Sequence, residues 1–412
     1  MSFLKPLKNV ELRAYIVGNT LFTIALLIQE VVLAYQVYQL TKNPLTLGLI
    51  GLAEALPYIS IALLGGHFAD NKDKKTIMGI SLSGIILGSA ILVYISSNLD
   101  LFSVDQYVYV IYFVIFLIGL CKGFFSPAAN ALNQIIVPKE EYSQAVAWIS
   151  SMWQLGMVLG PASAGFFYLW FGVTGTLWIV IGLFLIVFSM LFFFKKRPPS
   201  ISKEDKEPLI QSLKQGIKFV FQTKAILYSI SLDLFSVLFG GVIAILPVFA
   251  EDILHVGAEG LGFLRAAPSL GATLTMFLMI LYPPLNNAWK KFLWAVFGFG
   301  VSTVVFGLST NFQLSLFALF LTGAFDSISV VIRQTALRFF TPDNMRGRVS
   351  SVNGIFVSSS NELGAFESGV AAKAFGAVPA VVGGGIITML IVSVVAFRSK
   401  ELFDVKFDGS TD

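Results

Sequence analysis

Charged side chains embedded in long apolar runs are the residues of this sequence whose chemistry most needs an explanation. They comprise four carboxylates and three cations: Glu30, Glu54, Asp326, Glu362, Lys122, Arg265 and Arg333. A charge in a hydrocarbon environment costs about 3 kcal/mol or more, so such residues normally face a cavity or pair with one another. Because desolvation favours the neutral form of a carboxyl group, the four carboxylates are candidate proton-coupling sites, with Asp233 as a fifth, and the cations are candidate counter-ions. A static salt bridge explains each residue equally well.

Long apolar segments must position these charges. The chain has 412 residues, of which 56% are hydrophobic and 13% are charged. An ordinary water-soluble enzyme is excluded, because a soluble domain averages about 25% charged residues and needs them to cover its surface. A transmembrane helix needs roughly 20 predominantly apolar residues. The sequence contains twelve such runs, at 14–40, 44–67, 76–97, 106–134, 142–170, 174–195, 225–250, 258–282, 290–309, 312–340, 345–372 and 376–397.

The predicted fold is therefore an all-α integral membrane protein with twelve transmembrane helices. Runs such as 182–194 are continuously apolar, whereas the strands of a membrane β-barrel would alternate. When the loops are assigned to alternate sides, nearly all loop Lys and Arg residues fall on the side of the two termini, which the positive-inside rule places in the cytoplasm. Topology thus accounts for the net charge of +4, and no nucleic-acid partner is expected.

The sequence offers little for cofactor or metal chemistry. It contains two His and one Cys, too few for most metal frameworks. Neither a phosphate-binding loop nor a nucleophile motif is present, so we expect no enzyme, no cofactor and no metal site. An ion gradient is then the expected energy source.

A polar segment divides the twelve spans into six and six. The predicted domains are an N-terminal six-helix half at 1–195, a cytoplasmic linker at 196–224 and a C-terminal six-helix half at 225–412. Within the linker, one helical face carries Leu209, Leu213, Ile217, Val220 and Phe221. This pattern predicts an amphipathic helix on the cytoplasmic surface.

The two halves repeat each other in sequence. Gly51-x-x-Glu54-x-x-Pro57 recurs 211 residues later as Gly262-x-x-Arg265-x-x-Pro268, and Gly119, Lys122 and Leu159-Gly160 recur 204 residues later as Gly323, Asp326 and Leu363-Gly364. Charge reverses at two repeated positions, from Glu54 to Arg265 and from Lys122 to Asp326. Parallel repeats of this kind enclose a central site near the bilayer midplane.

The loop after span 2 carries a recognisable motif. Its sequence, GGHFADNKDKK at 65–75, resembles the loop 2–3 signature of the major facilitator superfamily through Gly66, Asp70 and Lys75. Lys74 replaces the usual Arg of the signature, and Asp73 replaces its second Gly. The resemblance implies a gating role, in which a carboxylate latches onto cations or a helix N-terminus.

Span 5 contains a second gating motif. Its residues Gly156, Gly160, Pro161 and Gly165 resemble the Gly-Pro motif that drug and solute antiporters of the superfamily carry in the same span. Proline kinks a helix, and glycine lets a neighbouring helix approach closely. Simple close packing at a helix interface also fits this pattern.

Two further strings narrow the resemblance to one branch. TPDNMRGRVSSVN at 341–353 and SNELGAFESG at 360–369 resemble the branch that holds enterobactin exporters and macrolide efflux proteins. The resemblance implies a monomeric secondary active transporter of the bacterial inner membrane. It would exchange protons for a small amphipathic organic solute, a siderophore or a macrolide-type drug, by alternating access. A lipid or lysolipid flippase of the same fold is the alternative.

Overall fold

The computed structural model describes residues 6–137, 141–195, 209–284, 286–342 and 345–403, except for the side chains of 62–71, 143, 209, 210 and 212. These residues are almost wholly helical. The helices are α1 (Val10–Thr41), α2 (Pro44–Asn71), α3 (Lys74–Ser97), α4 (Val104–Ile136), α5 (Tyr142–Met190), α6 (Leu209–Gln222), α7 (Lys224–Gly240), α8 (Leu246–Val248), α9 (Gly257–Leu281), α10 (Ala288–Leu308), α11 (Phe312–Phe340), α12 (Arg346–Phe375) and α13 (Ala377–Arg398).

The helices account for all twelve predicted spans. Ten segments of the described chain are long and apolar enough to cross a membrane. One of them contains α5, whose 49 residues are interrupted at Gly172, where φ is 64°, and which therefore supplies two spans. The remaining span is α12, which carries the polar run Ser358–Glu362 and is too polar to count among the ten. The predicted fold class is confirmed.

Local sequence signals set where several helices begin. The Asn9 side chain accepts the backbone N–H groups of the first turn of α1, and Ser103 and Gln106 form a reciprocal capping box at the start of α4. Asp73 caps α3: its carboxylate accepts the Thr76 backbone N–H at 3.1 Å and the Thr76 hydroxyl at 2.7 Å. The residue that departs from the superfamily signature thus has a local structural role.

The chain forms two compact units. Unit 1 comprises 1–202 together with 256–266, and unit 2 comprises 203–255 together with 267–412. Within unit 1, α1 packs against α5 and α2 packs against α4. Within unit 2, α7 packs against α12 and α13, and α10 packs against α11 and α13.

Close helix contacts recur at the repeated glycines. A methyl group on Gly119 would lie 2.9 Å from the Pro57 ring in unit 1, and one on Gly323 would lie 2.7 Å from the Pro268 Cα atom in unit 2. Both distances are shorter than ordinary van der Waals contact, so glycine is required at both positions. The sequence repeat thus corresponds to a repeated contact between a glycine on one helix and a proline on another.

Helix α6 lies in the second part of the linker and packs on α12. Val220 is buried together with Val349 and Val352, and Gly216 approaches the Arg348 carbonyl so closely that a methyl group there would lie 2.9 Å from it. The Arg348 guanidinium donates a hydrogen bond to Gln215. Of the predicted apolar face, Leu213 and Val220 therefore pack within unit 2, whereas Ile217 and Phe221 are exposed. Residues 196–208 lie outside the described part of the chain.

Candidate functional site

A cavity of about 250 Å³ inside unit 1 brings several of the predicted site residues together. Helices α1, α2, α4 and α5 contribute to its wall. Its polar and aromatic lining consists of Asn19, Phe22, Thr23, Gln29, Glu30, Glu54, Lys122, Ser126 and Trp153. We call it the charged cavity.

One ion pair in the charged cavity joins α2 to α4. The Lys122 ammonium contacts the Glu54 carboxylate, and the two side chains retain 23% and 25% of their exposure. The approach of Gly119 to the Glu54–Pro57 segment brings these two helices close enough for the contact. Because both side chains keep about a quarter of their exposure, their mutual attraction is screened in part.

A second ion pair places Arg265 beside Glu30. The guanidinium Nη1 atom lies 2.8 Å from Glu30 Oε1, and both residues belong to unit 1. The Arg265 side chain is 5% exposed, whereas that of Glu30 is 41% exposed. Arg265 and its repeat counterpart Glu54 therefore have different partners.

A second cavity of unit 1, of about 330 Å³, extends the charged cavity along α4. The two share Asn19, Phe22, Ser126 and Trp153. Its additional polar lining includes Asn130, Asn133 and Ser150. The sequence interpretation missed these residues, although Lys122, Ser126, Asn130 and Asn133 recur every three or four positions and so form one polar stripe on a helix.

Aromatic side chains contribute to the apolar lining of both cavities. Phe22 stacks on Phe125 with 4.3 Å between ring centroids, and Trp153, which is 44% exposed, lines both spaces. Tyr35 lines neither cavity: it is buried and makes an edge contact with Tyr168, with 5.0 Å between the ring centroids. The lining thus combines flat apolar surfaces with hydrogen-bonding groups, as an amphipathic ligand requires.

The charges of unit 2 have a different environment. The Arg333 guanidinium on α11 contacts the Asp233 carboxylate on α7, and the side chains are only 4% and 7% exposed. Asp326 is half-buried and interacts electrostatically with both residues, but its carboxylate forms no ion pair within the described chain. Glu362 is half-buried on α12 and contributes to neither unit 1 cavity.

The loop motif after α2 is only partly described. Lys75 donates a hydrogen bond of 2.9 Å to the Phe194 carbonyl, which lies just beyond the C-terminus of α5. Carbonyls at a helix C-terminus attract cations, so this contact ties α3 to the end of α5. Lys74 is buried at the first position of α3. Gly66 lies in the part of α2 whose side chains are outside the description, as does the carboxylate of Asp70.

The Gly-Pro motif of α5 lies at close helix contacts within unit 1. Methyl groups on Gly156 and Gly160 would lie 3.3 Å and 2.9 Å from atoms of α1, and one on Gly165 would lie 2.8 Å from the Glu259 Cα atom. Pro161 lies inside the helix, where it removes one backbone hydrogen bond. Both the gating and the packing interpretations require such contacts.

Twelve helical spans, two repeated units and a polar cavity lined by charged residues define a multi-pass membrane transporter rather than an enzyme. The chain belongs to the Major Facilitator Superfamily, whose family model matches residues 15–365. The resemblance read from the loop and span motifs is thereby confirmed.

Individual relatives support this assignment. An MFS-type transporter of Bacillus subtilis (strain 168), YfiS, is 24% identical over 365 residues, which are 84% of this chain and 82% of that protein. Macrolide efflux protein A of Streptococcus pyogenes is 23% identical over 389 residues, 89% of this chain and 91% of that protein. The crystal structure of a bacterial homologue of the human lysosomal transporter Spinster, inward-facing and unoccupied, matches with a TM-score of 0.73 at 16% identity and covers 95% of this chain and 97% of that one. At 16% identity, the similarity to the Spinster homologue shows a shared fold and nothing about the solute.

Proposed function

We propose that this transporter exports a small amphipathic organic solute, a siderophore or a macrolide-type drug, in exchange for protons and by alternating access. It would do so as a monomer in the bacterial inner membrane, with both termini in the cytoplasm. The observation that carries the proposal is the Glu54–Lys122 pair, which is part of the wall of a cavity with both polar and aromatic surfaces. The efflux function in the name of the Streptococcus pyogenes relative supports export.

The ion pair offers a simple coupling step. A proton that binds Glu54 neutralises the carboxylate, so the attraction that holds Lys122 is lost. Lys122 can then exchange Glu54 for an acceptor on the solute, whose apolar part contacts Trp153 and Phe22. Release of the solute restores the pair and expels the proton, so that proton and solute exclude each other at one site.

Glu30 and Asp326 are the next proton-site candidates on this proposal. Glu30 is the more exposed partner of Arg265, and protonation of its carboxylate would weaken their ion pair in the same way. Asp326 has no direct counter-ion among the described residues, although Asp233 and Arg333 are close enough to influence it. Glu362 remains a proton-site candidate only because it lies within the membrane-spanning helix α12.

The decisive experiment measures solute movement in proteoliposomes with an imposed pH gradient. Erythromycin and a catecholate siderophore serve as probes, and Glu54→Gln is compared with Glu401→Gln, the same change at an exposed residue outside the cavity. We expect gradient-driven transport in the wild type and in Glu401→Gln, and its loss in Glu54→Gln. A transport rate that is the same with and without the pH gradient, and with and without an uncoupler, would exclude proton coupling.

The flippase alternative is separated by a second arm with the same vesicles. A headgroup-labelled lysolipid replaces the solute, and its accessibility to an external quencher is followed over time. Protein-dependent movement of the lysolipid without movement of either solute would favour the flippase.

A further inference from the structure

An apolar groove of about 880 Å³ lies on unit 2, and its lining does not include Asp233, Asp326 or Arg333. It is bounded by α9, α10 and α11. Leu278, Trp294, Val301, Val305, Phe317 and Phe325 represent its lining, which is almost wholly apolar. Most of these side chains are largely exposed in the isolated chain. We call it the first groove.

A second groove of about 360 Å³ lies beside it and also borders α10. It shares Trp294 and Phe297 with the first groove and adds Leu293, Val392 and Phe403. Trp294 is 71% exposed near the start of α10, a position at which tryptophan prefers the membrane interface. The two apolar grooves therefore share the wall that α10 forms, and Trp294 borders both of them.

Each groove includes one lysine from the first turn of α10. Lys291 lines the first groove and Lys290 lines the second. Both are exposed, and neither forms an ion pair within the described residues. Lys290 lies 5.6 Å from the centre of the Phe403 ring, a contact that leaves its charge available. Adjacent cations at the mouths of apolar grooves complement a ligand with one anionic group and apolar chains.

The length of the first groove fits one membrane leaflet. Lys291 and Val305 are 14 positions apart on α10. At the rise of an α-helix this separation is about 21 Å. One leaflet contributes half of a hydrocarbon core that is about 30 Å thick. A chain anchored at Lys291 can thus lie in the groove over the full depth of its leaflet.

We propose that the two grooves bind one anionic glycerophospholipid of the bilayer, with its phosphate on Lys290 and Lys291 and one acyl chain on each side of Trp294. The two lysines select the negative headgroup, and the grooves hold the chains. This site is distinct from the charged cavity and does not depend on which solute is transported.

Quenching of Trp294 fluorescence by brominated acyl chains tests the proposal on the full-length protein. Vesicles of phosphatidylcholine receive small fractions of brominated phosphatidylglycerol or brominated phosphatidylcholine. The Trp294 signal is the difference between the wild type and Trp294→Phe. We expect half-maximal quenching at a roughly 25-fold lower fraction of the anionic lipid, since each of the two interfacial lysines contributes roughly a fivefold preference.

Two double variants separate a specific site from general charge attraction. Lys290→Gln with Lys291→Gln should abolish the anionic preference and leave quenching by phosphatidylcholine unchanged. Lys214→Gln with Lys218→Gln removes two exposed lysines of α6 in the same unit and should retain the preference. Equal quenching by both lipids in the wild type would overturn the proposal, and so would an equal loss of preference in both double variants.

A second readout covers the case in which Trp294→Phe fails to fold. Native mass spectrometry should show one tightly retained phosphatidylglycerol per wild-type chain, fewer in the Lys290/Lys291 variant and no change in the Lys214/Lys218 variant. Val301→Phe, which fills the first groove from a partly exposed position, should also reduce retention. Retention that is the same in all four proteins would contradict the assignment.

Discussion

The Glu54–Lys122 pair of unit 1 and the Asp233–Arg333 pair of unit 2 differ in how deeply they are buried. In unit 1, Glu54 and Lys122 face a cavity and keep about a quarter of their exposure, and Glu30 keeps 41%. In unit 2, Asp233 and Arg333 are 7% and 4% exposed and line none of the cavities described above. A carboxylate–cation pair therefore occurs in two environments, a cavity wall in unit 1 and a buried helix contact in unit 2.

The environments decide what each pair is able to do. A buried pair has already lost its hydration, so removal of one partner leaves an uncompensated charge. A solvated pair contributes little to stability, because water screens the attraction and can replace either partner. We infer that the Asp233–Arg333 contact fastens α7 to α11, whereas the Glu54–Lys122 contact is able to exchange partners.

The largest expected effect comes from breaking the buried pair. Arg333→Gln should lower the free energy of unfolding by about 3–5 kcal/mol, because the Asp233 carboxylate is left without its partner. Reversible unfolding in micelles measures the change, with Arg398→Gln, an exposed arginine of α13, as the matched control. The double variant Asp233→Asn with Arg333→Gln should recover most of the loss. A single variant as stable as the wild type would show that this pair is not a fastener.

The repeated glycines should respond alike in both units, although the charges differ. Gly119→Ala and Gly323→Ala should each cost about 1–3 kcal/mol, because the added methyl group collides with the neighbouring helix. Gly182→Ala in unit 1 and Gly354→Ala in unit 2 meet nothing within 4 Å and serve as controls. A large cost in one unit and none in the other would mean that the repeat does not extend to packing.

The starts of α3 and α10 provide a finer contrast between the units. Asp73 caps α3 through its side chain, whereas Asn287 at the start of α10 has φ 51° and makes no side-chain cap. Asp73→Ala should therefore cost about 1 kcal/mol, and Asp73→Gly, which restores the usual glycine of the signature, only a few tenths. Asn287→Gly should cost nothing, because glycine adopts positive φ readily. Thermal unfolding of the three variants measures these differences, and a cost at Asn287 equal to that at Asp73 would contradict the assignment.

The sequence was sufficient for the architecture and for the spacing of the charges, but not for their pairing. Continuous apolar runs indicate membrane helices without any knowledge of contacts, and the glycines repeat because both units pack in the same way. The partner of a charge depends on which helices are neighbours. The repeat relates Glu54 to Arg265, yet these residues bind Lys122 and Glu30 respectively.

Some of the site could have been predicted and was not. The polar stripe Lys122–Ser126–Asn130–Asn133 has plain helical spacing, and it shows which face of α4 borders the cavities. The burial of a charged side chain is harder to predict from the sequence. Asp233 and Glu30 have similar apolar flanks in the sequence, and only the packing of α7 distinguishes the buried carboxylate from the exposed one.

A small expected effect on stability is the most informative one for the comparison of the two ion pairs. Glu54→Gln should change the free energy of unfolding by less than about 1 kcal/mol, because the Lys122 ammonium stays solvated in the cavity. The same variant should lose gradient-driven transport if proton coupling depends on this pair. In Arg333→Gln, by contrast, the main effect should be a lower free energy of unfolding. Unfolding and transport measured on the same preparation of each variant separate the two roles. A loss of several kcal/mol in Glu54→Gln would place this pair with Asp233–Arg333 as a structural fastener and remove the basis for exchange in unit 1.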